Sequence, residues 1–467
     1  MRNRRIIVIG SALLLSLFTI PAMAQQRYEF SVKQAVDFAM KNSAQVKNAL
    51  IDISVQEQTN RELTAAAYPQ INGNIDMTYF PKVPTQSFPN FIAAGTYGVL
   101  QNEGVKNGSG QPIVSPTDFG IIQAQFGTKY TGSAGINLNQ LLFDGQVFVG
   151  LQARSTAIDM ARSTAEVTQE QIKANVYKIY YQLLVGRRLT QTIDANIDRV
   201  EKLFNDTREI FKQGFAEKLD VDRLEVTLTN LRTDKVKVVN QLEAGLLGLK
   251  FLMGMPLKDD LVLTDSISDD NLKRDILDTT FAYSDRKEYQ MIGFVEKLRE
   301  YNVKRYKLSR IPTLSLNGTY SKNAQRNRFN FFDWDNPWYT TALVGLRVNV
   351  PIFQGFAQTS RIRKAEYELM QTQNLRENLK LQIDNEVETA RINLKNALLT
   401  VDFQRKNMTL AESVYFTAVK KYEQGLGSNL EITTANTELR TAQSNYYQSL
   451  YDAIIAKIDY FKSTGKL

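Results

Sequence analysis

Phe211-Lys212-Gln213-Gly214-Phe215-Ala216-Glu217-Lys218-Leu219-Asp220 recurs, 211 residues later, as Tyr422-Glu423-Gln424-Gly425-Leu426-Gly427-Ser428-Asn429-Leu430-Glu431. An aromatic, a Gln-Gly pair and a Leu-acid pair keep register in both. Each copy interrupts a long stretch free of proline: no proline lies between Pro116 and Pro256, and none follows Pro351. Both stretches are rich in Gln, Glu, Lys, Arg, Leu and Ala, which favour helix. A glycine that permits positive φ between two such helices makes an antiparallel hairpin.

Outward from the two turns the repetition continues. Leu142-Phe143-Asp144-Gly145 matches Ile352-Phe353-Gln354-Gly355 at an offset of 210, and Pro69-Gln70-Ile71 matches Pro312-Thr313-Leu314 at an offset of 243. The change of offset places an insertion of about 33 residues within Pro81 to Lys129. From Gly145 to Gly214 and from Gly355 to Gly425 the helices run on the order of 100 Å at 1.5 Å per residue. Leu379, Ile383, Val387, Ala390, Leu394, Ala397 and Val401 recur at the three-and-four spacing of a coiled seam, and Ile193, Ile197, Val200, Phe204, Thr207 and Phe211 echo it. Return helices are expected from about Leu219 to Met253 and from Leu430 to Phe461.

Between these helices lie alternating segments. Ile71, Gly73, Ile75, Met77 and Tyr79 alternate with Asn72, Asn74, Asp76 and Thr78, and Leu314, Leu316, Gly318 and Tyr320 with Thr313, Ser315, Asn317 and Thr319. Thr131 to Leu142 and Thr341 to Val350 complete four strands, with Arg347 and Asn349 on the polar face. Such alternation fits a membrane barrel strand, and equally an amphipathic sheet on a soluble core. Three features favour the barrel. The adjoining helices are too charged and too long to cover a small sheet. Aromatics crowd the strand ends and loops (Tyr79, Phe80, Phe88, Phe91, Tyr97, Phe329, Phe331, Phe332, Trp334, Trp338, Tyr339). The Pro/Gly-rich insertion suits a long external loop. Four strands cannot close alone, because membrane barrels need about eight or more. Two, three or four copies would supply eight, twelve or sixteen.

The N-terminus and composition set the compartment and exclude chemistry. Arg2, Arg4 and Arg5 precede an apolar run from Ile6 to Ile20 and the small-residue site Ala22-Met23-Ala24. That order is a secretory signal peptide cleaved near Ala24, since the run is short of the roughly 20 residues a spanning helix needs. Removing its three arginines reduces the net charge from +8 to +5, too little on so long a chain to imply a nucleic-acid partner. The sequence has no cysteine and no histidine, so disulfides, Cys/His zinc sites and Ser-His-Asp or Cys-His catalysis are ruled out. No carboxylate pair has a nearby nucleophile, and no phosphate loop appears. The sequence reads as non-enzymatic, with no cofactor and no metal.

In this order and spacing the paired turns at Gly214 and Gly425 and the two strand-to-helix corners resemble the TolC family of outer-membrane efflux proteins, over nearly all of the chain from Ser31 to Phe461. The resemblance implies a mainly α fold with a membrane β-barrel: two internal repeats of long coiled helical hairpins and four strands per protomer, a homotrimer sharing a twelve-strand barrel, and a periplasmic α-helical tunnel. Residues 25–255 would form the first repeat (strands near 70–80 and 130–143, tip near 212–218). Residues 256–284 would form an equatorial linker. The second repeat would be 285–467 (strands near 313–321 and 341–351, tip near 423–429). The tips would dock a periplasmic adaptor, and through it an inner-membrane pump of an efflux or type I secretion system.

By position in the family pattern, Asp220 and Tyr422 correspond to a hydrogen-bonded pair of the periplasmic gate, and Glu431 to an acidic ring that would favour cations. Gly427 stands where an arginine is common, and Thr434 at a second acidic position, so the latch is expected to be thinner or differently wired. A plainer role for Asp220 and Glu431 is helix capping and first-turn dipole compensation. Gly214, Phe215, Gly425 and Leu426 are the turn residues and the expected adaptor contact, because an exposed apolar residue at a tip has no core to join. The alternative is a secreted oligomeric helical scaffold or adhesin without a pore. The cargo and the role of the 81–128 stretch are not legible.

Overall fold

The computed structural model describes residues 26–267, 281–333 and 335–467. The signal segment at 1–24, residues 268–280 of the 256–284 linker and Trp334 lie outside them. Two compact units result. One comprises residues up to Gln58, Ser155–Glu300 and Tyr367–Leu467, and the other Thr59–Arg154 and Tyr301–Glu366. Each unit draws on both halves of the sequence, because both strand pairs gather in one sheet and both hairpins in the helical unit.

In chain order the elements are β1 (Arg27–Phe30), α1 (Val32–Asn42), α2 (Ala44–Ala65), β2 (Gln70–Tyr79), β3 (Thr85–Pro89), α3 (Phe91–Asn102), β4 (Ile121–Gln125) and β5 (Tyr130–Phe143). There follow α4 (Gly145–Lys212), α5 (Lys218–Met253), β6 (Asp260–Leu263), α6 (Lys287–Leu308), β7 (Thr313–Arg326), β8 (Tyr339–Asn349), α7 (Ala357–Glu423) and α8 (Asn429–Ser463). Among the described residues no helix is long and apolar enough to cross a membrane.

The helical unit is held by seams. Ile193 and Val200 of α4 are buried, as are Ile383, Val387, Ala390, Leu394 and Val401 of α7, so the three-and-four spacing does face inward. At its start a reciprocal capping box begins α1. The Gln34 amide N–H donates to Ser31 Oγ, and the Ser31 N–H donates to Gln34 Oε1 at 2.8 Å. Helix α1 then buries Ala35, Val36 and Ala39 with Ile172, Val176 and Tyr180 of α4 and Leu249 and Met253 of α5. The Tyr180 hydroxyl donates to the Phe30 carbonyl at 2.8 Å, tying this core to the parallel β1–β6 pair.

The other unit is built on a four-stranded antiparallel sheet in the order β2-β5-β7-β8. Strand β7 runs on to Arg326, beyond the 321 expected from alternation, because it stays paired with β5 through Tyr130. Residues 81–128 are more ordered than a plain loop. They hold the β3–β4 hairpin and helix α3, capped by the Asn90 side chain accepting from the Ala93 N–H at 3.0 Å. Helix α3 was not predicted because Phe-Ile-Ala-Ala-Gly-Thr-Tyr-Gly-Val-Leu carries no polar stripe to mark a helical period.

Candidate pore-lining face and hairpin tips

Cross-strand register decides which side chains share a face of the sheet, because directly opposed residues point the same way. One face carries Ile71, Leu138, Gly318 and Val344 on one rung, then Gly73, Ile136, Tyr320 and Ala342 on the next. The other carries Asn72, Asn137, Thr319 and Leu343, then Asn74, Gly135, Ser321 and Thr341, then Asp76, Ser133, Asn323 and Tyr339. The sheet is therefore mainly apolar on one side, apart from Gln140, Lys322, Arg326 and Thr340, and, apart from Leu141, Leu343 and Tyr339, polar or glycine on the other.

Side chains knit the polar face together. Asn137 Nδ2 donates to Asn74 Oδ1 at 2.8 Å, the Thr319 hydroxyl donates to Asn137 Oδ1 at 3.0 Å, and Asn323 Nδ2 donates to Thr341 Oγ1 at 3.0 Å. Most of the apolar face is uncovered, with Ile75 76% and Val344 78% exposed, while Phe331 covers it at Gly132 and Ala324. Aromatics bracket its two ends. Tyr79 stacks on Tyr130 at 4.8 Å with Phe329 edge-on, and at the other end Phe143 meets Phe148 and Phe353 meets Phe356. Tyr130 and Phe143 are separated by ~44 Å along the strand, or ~34 Å after a barrel's tilt of about 40°, close to the ~30 Å hydrocarbon core of a bilayer.

In the helical unit each hairpin turn closes with the same bonds. The Phe215 N–H donates to the Ile210 carbonyl and the Gly214 N–H to that of Phe211, while Leu426 and Gly425 donate to Lys421 and Tyr422. These six-to-one and five-to-two bonds define a Schellman motif, with Gly214 at φ 82° and Gly425 at φ 71°. Phe215 is 83% and Leu426 78% exposed.

Asp220 and Glu431 occupy equivalent first-turn positions of α5 and α8, where a carboxylate offsets the helix dipole. The Glu431 N–H donates to the capping Ser428 Oγ at 3.2 Å. No hydrogen bond joins Asp220 to Tyr422 within the chain, and Tyr422 packs against Tyr415, Ala418, Ile432, Ala435 and Leu439 of its own hairpin. Gly427 lies close beneath Lys421 and Tyr422, where a Cβ would come within 3.1 Å of both residues. An arginine at that position requires Lys421 and Tyr422 to give by a few tenths of an ångström.

The hairpins are joined by residues that sequence reading passed over. Asn196 of α4 donates from Nδ2 to Gln443 Oε1 of α8 at 2.8 Å, Thr192 and Tyr447 share a hydroxyl bond at 2.9 Å, and Arg440 pairs with Asp234 at 3.3 Å. Asn196 sits between the seam residues Ile193 and Ile197, and a polar residue in a coiled seam was the available signal. A second cluster centres on the buried Arg286. Its guanidinium donates to the Ser463 carbonyl at 2.9 Å, to Glu386 at 3.0 Å and to Glu288 at 3.3 Å. Nearby, burial and then the Glu288 carboxylate push Glu170 above the usual carboxylate range, against the pull of Arg286, Lys462 and Lys287. Glu170 Oε2 is buried without a hydrogen-bond partner.

Residues 296–466 match the family model for outer membrane efflux proteins. The chain is 20% identical over 351 residues to the outer membrane protein TolC of Vibrio cholerae, covering 72% of this chain and 77% of that protein. It is 21% identical over 339 residues to the proteases secretion protein PrtF of Dickeya chrysanthemi, covering 71% of this chain and 72% of that one. The fold is that of the CusC crystal structures, with a TM-score of 0.73 at 15% identity over 96% of this chain and 95% of CusC.

Proposed function

We propose that this chain, which belongs to the outer membrane efflux proteins, is the outer-membrane exit duct of a tripartite efflux or type I secretion machine. It is not an enzyme. It would conduct cargo passively from a periplasmic adaptor and its inner-membrane pump to the exterior, after signal cleavage near Ala24.

The observation that carries this reading is the four-stranded sheet with two free edges. Strands β2 and β8 are of similar length, 10 and 11 residues, and are exposed along nearly all of it. Long open edges are a liability unless another chain pairs with them. Strand directions alternate across the sheet, so β8 of one copy can meet β2 of the next antiparallel, and only a ring of copies leaves no edge. Three copies give twelve strands, with the apolar face toward lipid and the polar face toward water. Copies of the two hairpins would then form the periplasmic tunnel.

Asp220, Tyr422 and Glu431 would form the periplasmic gate of the closed assembly, with Asp220 bonding Tyr422 once neighbouring hairpins draw together. Opening would separate them by rearrangement of the tips. Planar-bilayer recording of the purified mature protein tests both levels. Conductance steps that widen in Asp220→Ala and Tyr422→Phe support the gate. A protein that never conducts and forms no heat-stable β-rich trimer in outer-membrane detergent extracts is instead the secreted scaffold.

A further inference from the structure

The polar face of the sheet is nearly devoid of charge. From Gln70 to Thr78, Thr131 to Leu141, Thr313 to Gln325 and Tyr339 to Asn349, its members are amides, hydroxyls, glycines, two leucines and a tyrosine, with two exceptions: Asp76 and Arg347. They lie far apart. Asp76 is on the rung of Asn323 and Arg347 on that of Ser315, eight residues away along β7, or ~27 Å at about 3.4 Å per residue. Arg347 is near the end where the strands lead into α4 and α7, and Asp76 near the opposite end. The strand cations Lys322 and Arg326 are on the apolar face, on the rungs of Ile75 and Tyr79.

Within one copy neither group is neutralised. Among the described residues Asp76 and Arg347 form no ion pair, and both are exposed. Asp76 is nonetheless held in place: Asn74 Nδ2 donates to its Oδ2 at 2.7 Å, and Asn74 is itself anchored by Asn137. In the wall between the two charges Asn74, Asn137 and Thr319 bond to one another, and none of its side chains carries a charge.

We propose that Arg347 and Asp76 are the charge-selecting residues of the barrel, forming a basic ring at its helix-side end and an acidic ring at its outer end. The proposal rests on the shared barrel described above. Twelve strands about 4.8 Å apart, tilted by about 40°, enclose a backbone diameter of ~24 Å. Side chains narrow this further, so the pore axis is within about one Debye length of the wall at 0.1 M salt. Within one copy the ~27 Å between the two residues exceeds that length at the same ionic strength, and each acts on its own. Anionic groups of a cargo are favoured at the inner ring and cationic groups at the outer one, while the amide wall between them is indifferent to sign.

The absence of native cysteine allows the local potential to be read directly. Gly345→Cys and Thr78→Cys place single thiols on the polar face, two residues from Arg347 and Asp76, and a Cβ at Gly345 meets no atom within 4 Å. In the purified assembly at 0.1 M salt, an anionic methanethiosulfonate should outpace its cationic analogue at Gly345→Cys by about three-fold relative to their rates with a free thiol, with the reverse preference at Thr78→Cys. Arg347→Gln and Asp76→Asn should each abolish the preference beside it, as should 1 M salt. Preferences that survive neutralisation of both residues overturn the proposal. Thiols that react with neither reagent indicate instead that this face does not line water, which overturns the barrel reading itself.

Discussion

Asn196 Nδ2 donates to Gln443 Oε1 at 2.8 Å in a buried site between the first helix of one hairpin and the return helix of the other. Arg199 donates to the Oδ1 of the same asparagine, and its guanidinium lies 5.8 Å from the centre of the Tyr415 ring. A buried polar pair of this kind fixes register more than it adds stability, because partner loss leaves an orphan in an apolar seam. Asn196→Ala should destabilise the hairpin region by about 1–3 kcal/mol. Replacing both residues by leucine should recover most of that loss, as a double-mutant cycle in denaturant would register. A cycle with no coupling between the two positions would remove this pair as the register lock.

The Glu170 carboxyl makes stability depend on pH with a definite sign. Its folded-state pKa is raised above the ordinary carboxyl value of 4.5, first by burial and next by Glu288. Between that value and the folded pKa the folded state holds more protons, so this group's contribution falls as pH rises through the window. Glu170→Gln should therefore raise the melting temperature at neutral pH. The gain should shrink as pH approaches 4.5. A difference between variant and parent that is constant over this range would show that the carboxyl carries no such cost.

At the tips, Phe215 and Leu426 are held outward by the Schellman turns. Side chains this exposed contribute little to folding, so Phe215→Asp and Leu426→Asp should leave the melting curve in place. If the tips are the adaptor contact, each should weaken adaptor capture by about tenfold or more, the scale of a buried anchor residue at an interface. Capture of adaptor at parental strength by the double variant would move the docking site elsewhere on the hairpins.

Much of the architecture was written in periodicities. The Gln-Gly turns located both hairpin tips because a positive φ between helices all but demands glycine. Alternation from Gln70 to Tyr79 and from Thr313 identified two strands, since side chains on a pleat must alternate. Helix α3 escaped because it is apolar on every side and has no period to read. The gate residues were placed by position in a family pattern, and within one chain Asp220 and Tyr422 do not meet.

By itself, then, the sequence determined the lack of Cys and His, the two hairpins and the two-faced strands, all local properties of composition and period. Only the tertiary structure decided the strand order β2-β5-β7-β8 and its two open edges. It also decided the Asn196–Gln443 pair and the isolation of Asp76 and Arg347 on one polar face. Those depend on which distant residues face one another, and register between segments as far apart as Asn137 and Thr319 is set by packing and pairing that no local period encodes.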